Sequence, residues 1–439
     1  MAAPGWQSSR RAVQKAADGA VGVVRRHKPD YQIVLYMGLL MLLGLVIIYA
    51  IGPQRANVLN NAYGTDYYGD MYFFIKQGIS LLMALGAFAL MATVPFKFMQ
   101  KHAVKILLAG FAACMVLVLF GNIVHVDQIV QCSLGACRWL NLGPLSLQPA
   151  EFLKFGVLLF AAGFLGMRAQ QGLINDRDKT LIPMAIVMGL AILFVIGLQK
   201  DMGTGIALVA ILMSMFLIAG LNKRTIAILL SLLVAVGVLL IVIAPHRVQR
   251  ISAFLAADTT SVDNASTYHI EHAKIAIGSG GLTGVGIGNS VQATGYLPEA
   301  INDSVFAIMG ETFGFVGLVV IIALFTALLL RLLKVADHLV DMRLKLLVAG
   351  IFGWLGAHVI LNIAAMIGIF PLTGITLPLL SFGGTSMVFI AGALGLAFQL
   401  SRYTAFGSKL ERTTHEKNKD SSSRRGVGRT RYASRRRPS

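Results

Sequence analysis

Along this chain the apolar residues gather into ten stretches, at 33–51, 72–93, 104–124, 150–167, 181–198, 203–221, 225–244, 304–330, 346–369 and 377–400, with more polar segments between them. A helix that crosses the hydrocarbon core of a bilayer needs about 20 mostly apolar residues. The pattern therefore predicts an all-α membrane protein with ten transmembrane helices. The first stretch is long, starts after some thirty polar and basic residues and ends on Ile51-Gly52-Pro53-Gln54-Arg55, a poor cleavage site, so it reads as a span and not as a cleaved signal peptide.

Charge orients the spans. Ten of them put both ends of the chain on one side, and that side holds 30 of the 38 Lys and Arg residues but only 9 of the 20 Asp and Glu residues, a balance of +21 against −3. By the positive-inside rule both termini are cytoplasmic. The organisation expected is a basic N-terminal arm, 1–32, a membrane domain, 33–402, and a basic tail, 403–439. One long structured extracytoplasmic loop, 245–303, joins spans 7 and 8, and a shorter outer loop, His125 to Pro149, holds Arg138 and Trp139.

Composition agrees. Of the 439 residues 56% are hydrophobic and 13% charged, against about 45–50% and about 25% in ordinary soluble domains. The net charge of +18 is concentrated at the tail, whose arginines stand among Ser and Gly. Such a run buries no core, reads as disordered, and suits anionic lipid headgroups rather than nucleic acid. Cys114 lies in an apolar run. Cys132 and Cys137 lie in the shorter outer loop, where a disulfide can persist, although spacing does not establish one.

Ionisable residues in or beside a membrane are costly and draw attention as functional candidates. Glu151 and Lys154 share a face at the start of span 4, Asp201 lies in the turn between spans 5 and 6, Asp303 stands at the mouth of span 8, and Glu311 follows it in that span. At about 1.5 Å per residue, Glu311 lies roughly 12 Å below Asp303. Each also has a structural reading. Asp303 suits a helix cap, Glu151 and Lys154 a structural ion pair, Asp201 a turn holder, and Glu311 a bond to a polar neighbour. The glycine run from Gly278 to Gly288 fits neither a Walker A loop nor a Rossmann fingerprint. It reads as a loop built for tight bends, or as a nest of backbone N–H groups for an anion.

Four blocks carry a resemblance to a known family. Arg138-Trp139-Leu140-Asn141-Leu142-Gly143 with Gln148-Pro149-Ala150-Glu151 resembles an RRW…QPSE block, and Lys200-Asp201-Met202-Gly203-Thr204 a PDxGT turn. The glycine loop through Tyr296-Leu297-Pro298-Glu299-Ala300-Ile301-Asn302-Asp303 resembles a YLPEAHTD block. The segment from Pro371 to Ser386, with Leu377-Pro378-Leu379-Leu380-Ser381-Phe382-Gly383-Gly384, resembles PVTGxxLPFxSYGGSS. In this order, over roughly 33–402, the blocks resemble those of the SEDS proteins (shape, elongation, division and sporulation), nearer the FtsW branch than the RodA branch. Departures include Lys200 for a proline, His272 and His358 for glutamines, Ile301-Asn302 before the aspartate, and Phe382 for a tyrosine.

The resemblance implies a peptidoglycan glycosyltransferase of the bacterial inner membrane. It would polymerise lipid II, a disaccharide-pentapeptide on undecaprenyl pyrophosphate, into β-1,4 glycan for septal wall synthesis in cell division. Asp303 would be the general base, with Arg138, Glu151, Lys154, Asp201, Lys274, Glu299, Glu311 and Ser381 as substrate-binding or supporting residues and Lys200 as a further cation. No cofactor is required by the sequence, although Mg or Mn could share the pyrophosphate charge. The implied partners are a class B penicillin-binding protein transpeptidase and other division-complex proteins. The competing reading is a lipid II flippase, against which stand the lack of visible inverted repeats and the gathering of unusual residues at the outer face rather than at mid-depth.

Overall fold

The computed structural model describes residues 28–124, 126, 128–133, 136–143, 145–242 and 265–404. Apart from residues 28–32 and 403–404, the basic arm and tail lie outside the described residues, as does 243–264 of the long loop. Helices dominate: α1 (Tyr31–Tyr63), α2 (Tyr72–Thr93), α3 (Phe96–Val118), α4 (Pro149–Gln170), α5 (Ile182–Ile192), α6 (Met202–Ala219), α7 (Lys223–Val242), α8 (Ala265–Ser279), α9 (Val305–His338), α10 (Met342–Met366) and α11 (Gly384–Leu400). Among the described residues, nine helices are long and apolar enough to cross a membrane. The seventh predicted span, 225–244, runs beyond the described residues, and its described part lies in α7.

The sequence pattern misses three features. First, the chain is not purely α. Between α3 and α4 the antiparallel strands β1 (Val130–Ser133), β2 (Ala136–Leu142) and β3 (Leu145–Leu147) form a small sheet in the order β1-β2-β3. Cys132 pairs with Cys137 across β1 and β2 and is disulfide-bonded to it. Val130, Cys137 and Leu140 cover Leu117 of α3. Four buried side chains and one crosslink suffice for so short a hairpin, which is too small to show as a hydrophobic period. Second, the tenth span starts at Gly384 and not at 377, because Pro371, Pro378 and a left-handed Leu379 keep the preceding segment out of helix. Third, α1 and α9 are much longer than one bilayer crossing requires, at 33 and 34 residues.

The helices form a layered bundle. In α4, α10 and α11 the most apolar stretches are 78%, 72% and 78% buried, against 22% in α2, so these three form the interior. Helix α11 packs chiefly on α2, α10 on α6, α9 and α4, and α4 on α3. With no water to exclude between helices in lipid, close van der Waals packing does this work. At Gly395 any Cβ would come within 2.4 Å of the Phe88 carbonyl oxygen, so α11 and α2 touch backbone to backbone.

At one end of the bundle Asp30 caps α1 by accepting from Gln32 N–H, accepts from the Arg331 guanidinium of α9, and donates its own N–H to Ser401 Oγ. At the other end Gln54 of α1 donates to Gly288 O, and Arg55 lies 3.8 Å from Glu299. Helix α9 is broken at Gly314 (φ 68°, ψ −169°), and the glycine loop fills the break. Val285 and Gly286 N–H donate to Glu311 and Thr312 carbonyls, while Phe315 and Val316 N–H donate to Gly281 and Leu282 carbonyls. Backbone groups freed by the break are thereby satisfied, as membrane depth demands.

Gly284 has φ +81°, and a Cβ there would lie 2.2 Å from Thr312 O, whereas Gly278 faces open space. We expect Gly284→Ala to lower the thermal midpoint of the purified protein, with about 1–3 kcal/mol lost to strain alone, and Gly278→Ala to leave it unchanged. Equal midpoints in the two variants would show that the loop does not need the break in α9.

Candidate functional site

Asp303 closes a turn that is bonded almost residue by residue. Asn302 and Ser304 N–H both donate to Glu299 O, at 3.0 and 3.2 Å. Ser304 Oγ donates to Pro298 O at 2.8 Å and, with its own hydrogen so used, accepts from His269 Nε2 of α8 at 2.6 Å. Phe382 N–H donates to Ile301 O at 2.8 Å. Helix α9 then starts from Ser304, whose side chain makes no cap bond to it. The Asp303 side chain is half-buried, between solvent and bundle.

Opposite lies the non-helical segment 371–383. Ser381 Oγ accepts from Leu377 N–H at 2.8 Å, and Ser381 O accepts from Gln77 of α2. Ser381 therefore folds this segment and is itself buried. Gly374, at φ +73°, comes against Asp303, since a Cβ there would lie 3.6 Å from Asp303 Oδ2. Asn362 of α10 donates from one amide nitrogen to both Asp303 O and Ile375 O, at 2.7 Å each.

Below the same segment lies a buried charge cluster. Lys154 of α4 is 0% exposed; its ammonium donates to Glu151 Oε1 at 2.8 Å and to His358 Nε2 of α10 at 3.2 Å, and sits 4.9 Å from the Trp354 ring centroid. Because an ammonium only donates, His358 must offer its Nε2 lone pair and carry its hydrogen on Nδ1, which lies near the Thr376 backbone without a well-formed hydrogen bond. The cluster thus reaches the segment that carries Gly374. Glu151 and Lys154 form the ion pair their spacing predicts, on one buried face of α4.

Asp201 does hold its turn. It caps α6 by accepting from Thr204 N–H at 3.0 Å and Thr204 Oγ1 at 2.8 Å, and it accepts from Gln148 Nε2 at 3.0 Å. The preceding Lys200 is left-handed (φ 55°), and Arg138 of β2 clamps this turn by donating to Lys200 O at 2.8 Å and Gln199 O at 3.4 Å. Two residues into α6, Gly203 packs on Thr373 and Ile375. Among the described residues three non-glycines are left-handed, Lys200, Glu299 and Leu379. Glu299 stands in the Asp303 turn, Leu379 in the facing 371–383 segment and Lys200 in the turn before Gly203, which packs on that segment; such strain collects where a scaffold over-determines a site.

The remaining predicted residues separate. Glu311 is 2% exposed and accepts from Ser290 Oγ and from Val291 and Gln292 N–H. The anion held by the loop's backbone is thus the protein's own carboxylate. Glu299 is exposed and accepts from Asn302 as well as facing Arg55. Lys274 of α8 is exposed beside Gly368, next to which its Cε would meet any Cβ at 2.3 Å. Sequence reasoning did not single out Asn362 or His269, quoted Gln148 only as part of a block, and noted His358 only as a departure. A polar residue isolated in an apolar run was the available signal for Asn362 and His358. Among the described residues no three His, Cys, Asp or Glu side chains converge to hold a metal ion.

The FtsW/RodA/SpoVE model of cell cycle proteins matches residues 31–405. A relative named probable peptidoglycan glycosyltransferase FtsW, from Taylorella equigenitalis, is 33% identical over 369 residues, 83% of this chain and 94% of that protein. Another of that name, from Halorhodospira halophila, is 33% identical over 90% of this chain and 99% of its own length. Stage V sporulation protein E of Bacillus subtilis is 30% identical over 87% and 99%. Among solved structures, a chain from work on the coordination of polymerization and crosslinking by a peptidoglycan synthase complex superposes with a TM-score of 0.65 at 23% identity, covering 85% of this chain and 98% of that one. RodA of Thermus thermophilus superposes with a TM-score of 0.58 at 22% identity, covering 86% and 98%. The folds correspond, and by sequence this chain belongs to the FtsW/RodA/SpoVE family of cell cycle proteins.

Proposed function

We propose that this protein is a peptidoglycan glycosyltransferase that polymerises lipid II into β-1,4 glycan at the outer face of the bacterial inner membrane, during septal wall synthesis. Ten spans would place both termini in the cytoplasm and the Asp303 turn outside. The observation that carries the assignment of the base is a difference in exposure. Glu151, Asp201 and Glu311 are 2%, 7% and 2% exposed and are held by donors of the scaffold. Asp303 is half-buried on a braced turn, where a substrate hydroxyl can reach it.

A sugar hydroxyl is a poor nucleophile until a base takes its proton. In the proposed step the acceptor 4-hydroxyl gives its proton to the Asp303 carboxylate while its oxygen bonds to the anomeric carbon of the donor. The bond from that carbon to the pyrophosphate breaks, the pair of electrons leaves with undecaprenyl pyrophosphate, and configuration inverts. Lys274, exposed on α8, and the Arg138–Lys200 turn are the cations we assign to the leaving pyrophosphate. Lys154 is enclosed, so its contribution is to anchor α4 to α10 beneath the Gly374 segment. Mg or Mn would be held mainly by the pyrophosphate with one or two carboxylates. The relatives' names and the synthase-complex neighbour support a partner transpeptidase that crosslinks the new strand.

Asp303→Asn should reduce polymerisation of labelled lipid II by the purified protein with its transpeptidase by about 100-fold or more, with an unaltered thermal midpoint. Undiminished chains from the folded variant would remove Asp303 as base. Activity in detergent, where no compartments exist, also separates a polymerase from a flippase.

Reversing the buried pair tests its support. Either Glu151→Lys or Lys154→Glu leaves like charges enclosed, and breaking such a pair costs about 3–5 kcal/mol. The double reversal should recover part of the folded yield, and only part, because a carboxylate would then face the His358 lone pair and the Trp354 ring. Failure of the double variant to exceed the single ones would show that the two charges do not act as a pair.

Orientation is open to thiol labelling. A cysteine at Glu299 should react with a membrane-impermeant maleimide on intact spheroplasts, and one at Asn222 only after permeabilisation. The opposite pattern would invert the proposed topology.

A further inference from the structure

Asn362 is buried, 1% exposed, on the central helix α10, and both hydrogens of its amide nitrogen are in use. One bonds the carbonyl of Asp303 itself. The other bonds the carbonyl of Ile375, the residue after the glycine against which the Asp303 carboxylate rests. A single rigid amide therefore sets both the backbone that carries the carboxylate and the wall beside it.

The fold does not depend on this link alone. The Asp303 turn is also held through Glu299 O, Pro298 O and His269, and the 371–383 segment through Ser381, Gln77 and the Phe382 to Ile301 bond. Without the amide both segments keep their own bonds. The Phe382 to Ile301 bond still joins the two segments, and what they lose is the tie at Asp303 itself, beside the carboxylate.

We propose that Asn362 is a positioning residue for the transfer step: by spanning Asp303 and Ile375 it fixes the carboxylate against Gly374 in the place where the acceptor hydroxyl is to be deprotonated. This rests on Asp303 acting as the base. It adds a residue of α10 that touches neither sugar nor pyrophosphate and acts only through Asp303. Misplacing a catalytic group by about 1 Å can cost on the order of 100-fold in rate. The effect belongs in kcat, because substrate binding is left to other groups.

The test uses the full chain with its transpeptidase and fluorescent lipid II over a range of concentrations. Asn362→Asp keeps the shape but loses both donors, and Asn362→Leu removes polarity altogether. Both should lower kcat by roughly 10- to 100-fold, with KM close to the parent value. In an Asp303→Asn background, adding Asn362→Leu should cost nothing further. An unchanged kcat, a rise in KM alone, or a full additional loss in that background would overturn the proposal. So would failure of both variants to give monodisperse folded protein, since Asn362 would then serve the fold. Normal polymerisation by Asp303→Asn alone would instead strike at the base assignment, so the two failures are told apart by which single variant departs from expectation.

Discussion

An ammonium enclosed among apolar helices has no water to solvate it, and Lys154 meets this constraint with three partners of its own fold: a carboxylate one turn away, an imidazole on the facing helix and the face of an indole. Satisfying it fixes α4 against α10, and those two helices with α11 make up the best-buried layer of the bundle. Replacing such a cluster with apolar residues would often cost a protein little. Its value here is geometric. It lies beneath the 371–383 segment through His358, and that segment in turn forms one wall of the Asp303 turn.

The same demand explains the irregular backbone. Non-helical chain at membrane depth survives only where its N–H and C=O groups are paired within the protein. The break in α9 is filled by the glycine loop, and the loop's later N–H groups close over Glu311. The 199–201 turn is clamped by Arg138, and the segment before α11 by Ser381, Gln77 and Asn362. The break in α9 is thus satisfied by backbone groups of the glycine loop, and the other two departures by named polar side chains.

Much of this was legible from residue order. Hydrophobic runs located the membrane helices, since length and apolarity alone decide what fits a bilayer, and the ion pair followed from an i, i+3 spacing. The quoted blocks include the 200–204 turn, Asp303 and the segment after Pro371, and in the fold Gly203 packs on Thr373 and Ile375 while Gly374 comes against Asp303. Contacts between distant parts of the chain were not legible. Nothing local says that Glu311 is consumed by residues 290–292, that Ser381 folds its own segment, or that Asn362 reaches Asp303. The β1–β2–β3 hairpin was missed because its strands are too short to show a period. The extra length of α1 was missed because its last turns are polar and lie beyond what a hydropathy window registers.

Helix α1 is fastened at both ends: Asp30 to Arg331 and Ser401, Gln54 and Arg55 to the glycine loop and the turn that bears Asp303. A helix hardly stretches, because its rise is set by its internal hydrogen bonds. The distance between the two faces along this side of the molecule is then a property of the chain and not of its surroundings. Where the local lipid is thinner or thicker, it is the bilayer that must deform or the protein that must tilt, and the candidate site keeps its height above the opposite end.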